Sequence, residues 1–124
     1  MIDFENGKLF KLHKDNDAHE KEIAQILIPN ETVIGSYTVV RDYVVFTNKR
    51  IISVNKQGMT GTKKNFTSMP YSKITAFSVE TAGILGYDGE IELFFTGLGK
   101  VTFEFTGTSD IFAIGQAISQ YVLE

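Results

Sequence analysis

From Thr32 to Phe105 the chain runs as short β-branched and aromatic stretches, cut by turn residues about every eight to twelve positions. An antiparallel β architecture accommodates that rhythm and a helical one does not. It is cleanest near the end: Ile91, Leu93, Phe95 and Val101, Phe103, Phe105 alternate with Glu90, Glu92 and Thr102, Glu104. Side chains of a strand point alternately to its two faces, so this hairpin has one apolar and one polar face. Phe94 breaks the alternation and is expected to be exposed. Further strands are expected at Thr32–Val40, Tyr43–Thr47, Ile51–Asn55, Lys63–Met69 and Ile74–Thr81, making seven with Glu90–Phe95 and Val101–Phe105. Turns fall at Asn48, Gly58/Gly61, Pro70, Gly83/Gly86/Gly89 and Gly97/Gly99. Asn48-Lys49 suits a tight hairpin, because Asn tolerates left-handed geometry.

Beyond Gly107 the period becomes helical, with Ile111, Ile114, Ile118, Tyr121 and Val122 on one stripe. Thr108 or Ser109 serves as the cap, and Asp110 is favourable in the first turn. A second helix is expected from Asp17 to Leu27, with Ile23, Ile26 and Leu27 forming a short apolar face and Pro29-Asn30 ending it. The organisation read this way is an N-terminal helical extension over residues 1–30 and a barrel with its C-terminal helix over residues 31–124, one domain in all.

The central segment resembles the bacterial pleckstrin-homology-like family, formerly a domain of unknown function. The resemblance rests on Arg41-Asp42, Phe46-Thr47, Lys49-Arg50, Gln57-Gly58, Thr60-Gly61 and Met69-Pro70-Tyr71, and continues through Phe77-Ser78, Glu80-Thr81, Gly83 and Glu92-Leu93. It implies a mainly β fold: a seven-stranded, partly open antiparallel barrel capped by the C-terminal helix, here with an extra N-terminal helix. It also implies ring-shaped homo-oligomers, pentamers, in which barrel edges of neighbouring subunits meet. One departure is Ile84-Leu85-Gly86-Tyr87-Asp88, where relatives often carry an Asp-rich segment. A site built on those acids is therefore not carried over.

A chain of 124 residues buries about 65% of its unfolded surface on folding, so it needs no metal or disulfide. The absence of cysteine excludes thiolate catalysis and zinc–thiolate sites, and suits a reducing compartment; cytoplasm is the expectation. The acidic, interrupted N-terminus reads as neither a secretory signal nor a membrane span. Charge is unevenly spread. Residues 31–70 hold six bases against two acids, and residues 71–124 seven acids against two bases. Such polarity can steer an anionic partner or let identical subunits attract one another head to tail.

Lys49, Arg50, Lys56, Lys63 and Lys64 form the candidate anion-binding set. A peripheral role on anionic lipid or another phosphorylated ligand, through Arg41–Lys64, is the alternative function. Against it, the turn at Arg41-Asp42 lacks the long basic loop of lipid-binding pleckstrin-homology domains. Gly58–Lys63 and Gly97–Lys100 are not phosphate loops, since strands rather than helices follow them, and no nucleic-acid partner is expected. His13 and His19 lie among Asp15, Asp17, Glu20 and Glu22, but the calcium-loop pattern is incomplete; His19 reads as a polar residue on an exposed helix face, and no metal is expected. No serine has a histidine base placed beside it, so no catalytic residue, cofactor or enzymatic activity is expected. The apolar residues without an obvious place in the barrel are Ile84, Leu85, Tyr87, Phe94, Ile23, Ile26 and Leu27, the candidate oligomer interface. The reading is a non-enzymatic, self-assembling binding or scaffolding module whose chief partner is itself, with another protein as a further partner and a membrane ranked below both.

Overall fold

The computed structural model describes residues 7–15, 18–81, 89–106 and 111–124. Strand β1 is Gly7–Lys14, followed by a single helical turn, α1, at Glu20–Ile23. Strands β2 (Val33–Val39), β3 (Asp42–Thr47), β4 (Arg50–Gln57) and β5 (Lys63–Pro70) form an antiparallel meander. A 3-10 turn at Tyr71–Lys73 leads into β6 (Ile74–Thr81), β7 (Gly89–Phe95) and β8 (Gly99–Phe105), and α2 (Ile111–Val122) follows.

All eight strands belong to one sheet, in the order β5-β4-β3-β2-β1-β8-β7-β6. The sheet curls so that its concave face closes on itself. Phe46 of β3 meets Phe103 of β8 edge to face, with ring centroids 6.1 Å apart, and Tyr37 of β2 meets Phe105 at 5.1 Å. Ile91, Leu93, Phe95, Val101, Phe103 and Phe105 are all buried in this core, as their alternation requires. Each such side chain contributes about 1.5–3 kcal/mol by leaving water. Phe94 points the other way and is 37% exposed.

Helix α2 covers one end of the curled sheet with Ile111, Ile114 and Ile118. Two glycines let it approach closely. A Cβ on Gly89 would lie 2.7 Å from Ile111 Cγ1, and one on Gly115 would lie 2.9 Å from Val79 Cγ2. Tyr121 stacks on Tyr71 at 5.3 Å, tying the end of the helix to the 3-10 turn.

Three expectations about the N-terminal residues are corrected. First, the sheet has eight strands rather than seven, because Gly7–Lys14 forms β1. Its end pairs antiparallel with β2, while Gly7–Leu12 runs parallel to β8, so β1 joins the two halves of the sheet and is no extension to it. Second, the helix expected over Asp17–Leu27 shrinks to the four residues of α1. No side chain caps its start, and Pro29 disfavours helix for the residue before it. Third, Ile23, Ile26 and Leu27 are not left for a neighbouring subunit. They cover Tyr43, Val45, Ile52 and Val54 on the convex face of β3 and β4, and Ile23 is only 2% exposed. Those two strands are thus buried on both faces, which is why Tyr43–Phe46 is continuously apolar and Ile51–Val54 is interrupted only by the small, buried Ser53.

Candidate functional site

The turn at Val40-Arg41 and the β4–β5 hairpin lie at one end of the sheet, and the β3–β4 turn at the other. Strand β4 spans 8 residues, so its ends are more than about 20 Å apart. The expected basic set is divided accordingly. Lys56, Lys63 and Lys64 gather at the hairpin end, joined by Arg41; Lys49 and Arg50 stand at the opposite end.

Arg50 is committed to the fold. Its Nε and Nη2 donate to the two oxygens of Glu31 at 2.9 Å each, Nη2 also donates to the Ile26 carbonyl at 2.7 Å, and Nη1 to Ser68 Oγ at 3.0 Å. Glu31 further accepts from the Thr47 hydroxyl at 2.7 Å and the Ile28 N–H at 3.1 Å. Burial pushes the Glu31 carboxyl up, but the hydrogen bonds from Arg50, Thr47 and Ile28 outweigh it and hold the group below its ordinary range. Arg50 therefore fastens the N-terminal segment to the sheet and is removed from the candidate anion site.

At the hairpin end, Lys56 and Lys64 are cross-strand partners, an unfavourable placement for like charges. Each is compensated. Lys64 pairs with Glu22 of α1, and the Lys56 ammonium lies over the Tyr43 ring, 5.6 Å from its centroid. Arg41 Nη1 donates to the Gly58 carbonyl at 2.7 Å, linking the two turns. Together Arg41, Lys56 and Lys64 line a shallow open basin with the tip residues Met59, Thr60 and Thr62. Asp42 does not pair with Arg41 or Arg50; it accepts from the Lys56 N–H at 2.9 Å.

Beside this basin is a polar cluster that sequence reasoning missed. His19 lies flat on Tyr43, and its Nε2 is 3.3 Å from Thr38 Oγ1. Asp15 accepts from the Thr38 hydroxyl at 2.6 Å and the Ser36 hydroxyl at 3.0 Å, while Tyr43 donates to Glu22 at 2.6 Å. His19 is thus half-buried rather than on an exposed helix face. Burial lowers its pKa, Lys56 adds to the lowering, and Asp15 and Glu22 oppose it. Burial raises the Tyr43 hydroxyl far above its usual range, aided by Glu22. Such a phenol donates a hydrogen bond but supplies no base. The one available signal was the cluster of polar residues at 13–22, whose partners on Ser36, Thr38 and Tyr43 only the fold reveals.

Among the described residues, no group of three or more His, Asp and Glu side chains is arranged to hold a metal ion, and no helix is long and apolar enough to cross a membrane. Of the candidate interface residues, Ile84, Leu85 and Tyr87 lie outside the described residues, Ile23 is buried, Ile26 and Leu27 are partly buried, and Phe94 is exposed.

Known proteins complete the picture. The sequence profile of the bacterial PH domain family matches residues 3–122. The chain belongs to that family. The bacterial PH fold here is similar to a crystal structure of a duf1696 family protein with a pleckstrin-homology domain from Shewanella loihica PV-4. The TM-score is 0.78 at 36% identity, covering 91% of this chain and 98% of the other. A pleckstrin homology domain from Shewanella amazonensis SB2B gives 0.64 at 39% identity, covering 84% and 85%. In sequence, this PH domain is 41% identical over 104 residues to the uncharacterized protein YjqA of Bacillus subtilis (strain 168), covering 82% of this chain and 83% of YjqA.

Proposed function

We propose that this bacterial PH domain is a non-enzymatic, self-assembling binding or scaffolding module of the cytoplasm, working as a ring of identical subunits. The observation that carries this reading is the unequal protection of the sheet's two edges. Edge strand β5 bears Lys63, Lys64 and Pro70, residues that discourage strand addition. Edge strand β6, Ile74–Thr81, is 8 residues long, contains no proline and has Glu80 as its one charge. On the convex face Glu80, Glu90 and Glu104 stand in register across β6, β7 and β8. That acidic row suits the basic β5 edge of a neighbour, while Phe94 offers an apolar contact two positions beyond Glu92. Contact between unlike edges is heterologous, and repeating it around an axis closes a ring. A pentamer is the ring size the family resemblance implies.

Absolute mass by light scattering after size exclusion, at two salt concentrations and across a wide dilution, tests the proposal. A stable multiple of 13.8 kDa supports it. A strict monomer overturns it.

A further inference from the structure

The segment around α1 covers the convex face of β2 and β3 without sealing it. Strand β2 shifts register between Val33 and Gly35, so Val33 and Ser36, three positions apart, face the same side. Between them and α1 lies a cavity of about 320 Å³, with Ile23, Ala24, Leu27, Val33 and Val45 as its apolar wall. An apolar cavity of about 150 Å³ holds benzene, so this one has room for a ring or short chain together with a polar head.

His19, Glu20 and Ser36 form the polar wall. Thr38 gives its only hydroxyl proton to Asp15 at 2.6 Å, so Thr38 Oγ1 accepts from His19 Nε2–H at 3.3 Å. Burial lowers the imidazole pKa below 6.5, and the ring is neutral at neutral pH. Nδ1 then carries a lone pair, with no partner among the described residues. Ser36 directs its own proton to Asp15, which leaves its oxygen free to accept, and Glu20 is an exposed carboxylate at the rim. All three groups accept and none donates. Among the described residues no lysine or arginine lines the cavity; Lys64 pairs with Glu22, and Lys56 lies over the Tyr43 ring.

We propose that this cavity binds a small apolar primary amine as its ammonium ion, the head donating to His19 Nδ1, Ser36 Oγ and Glu20 while the alkyl or aryl body lies along Ile23, Leu27, Val33 and Val45. An ammonium has three donors and no acceptor, the complement of this wall. An anion would meet Asp15 and Glu20 with no cation to oppose them, and a wholly apolar ligand would leave Nδ1 unpaired. An apolar pocket with a few convergent polar groups is the usual form of a small-molecule site. The inference does not depend on ring assembly, since one chain carries the whole cavity.

The chain has two histidines, so the His13 imidazole is an internal control for His19. The full chain, labelled with nitrogen-15, is titrated with phenethylamine at neutral pH while both rings are followed by NMR. Expected are an Nε2–H tautomer at His19 in the free protein and a saturable shift of its Nδ1, with His13 unmoved. His19→Phe keeps a ring on Tyr43 but removes the acceptor, and weakens binding about tenfold or more by calorimetry. Ala24→Leu, at an exposed position on the cavity wall, narrows the cavity and lowers affinity severalfold with the unfolding midpoint retained. An Nδ1–H tautomer or the lack of a saturable His19 shift overturns the proposal. So does affinity that either variant leaves unchanged, or equal binding of phenethyl alcohol or phenylpropionate, which match the body but not the ammonium.

Discussion

The imidazole of His19 lies parallel to the phenol ring of Tyr43, with centroids 3.7 Å apart and planes within 1°. The stack joins a residue just before α1 to one in the middle of the sheet. It also brings a titratable group with a neutral preference against a buried face.

Stability should therefore depend on pH through His19. Its folded pKa lies below the ordinary 6.5, so the unfolded chain binds the proton more readily. The contribution is full above pH 6.5 and is lost as pH falls through 6.5 toward the folded value. His19→Phe keeps a stacking ring and should flatten that part of the profile. Thermal unfolding across the interval, with an imidazole titration by NMR, checks both; an imidazole pKa above 6.5 contradicts the account.

Glu31 and Arg50 should behave as a buried pair. Removing either partner leaves the other charge uncompensated, so Glu31→Gln or Arg50→Met should cost about 3–5 kcal/mol in urea denaturation. Replacing both with apolar residues should cost less than either single change. Glu31 has a lowered folded pKa, so its contribution is present above the unfolded value near 4.5 and disappears as pH falls through the folded one.

Close packing of α2 predicts that Gly89 is intolerant. A Cβ there meets Ile111 at 2.7 Å and the Glu80 carbonyl oxygen at 3.0 Å, and a backbone atom cannot step aside cheaply. Gly89→Ala should destabilise by about 1–3 kcal/mol, read as a lowered denaturation midpoint with an unchanged slope.

Charge reversal tests the edge contact. Lys63→Glu or Glu80→Lys alone should weaken association about fivefold or more, and the two changes together should recover part of the loss. Light scattering over a dilution series reads the outcome. Equal effects at low and high salt would count against a charged interface.

Most strands and α2 were legible because alternating and helical periods are local signals. Leu9-Phe10 followed by Lys11 breaks the period of two, and β1 shows a register shift between Leu9 and Leu12 at that place. A strand with a broken period, paired with one neighbour in each direction, leaves little local trace. The basic set was partly legible for a similar reason. Lys56, Lys63 and Lys64 flank one hairpin, whereas the partner of Arg50 lies 19 residues away, across β2 and β3.

The order of residues by itself determined a mainly β fold, the places of most strands and turns, the terminal helix and the separation of basic from acidic halves, because these follow from periodicity, turn chemistry and charge along the chain. Tertiary structure decided the rest. It placed β1 between the halves of the sheet, laid Ile23, Ile26 and Leu27 over β3 and β4, and committed Arg50 to Glu31. It also left Val40 and Met59 in solvent beside the basin. Burial and pairing between residues distant in sequence depend on how the sheet curls, and no local pattern encodes that.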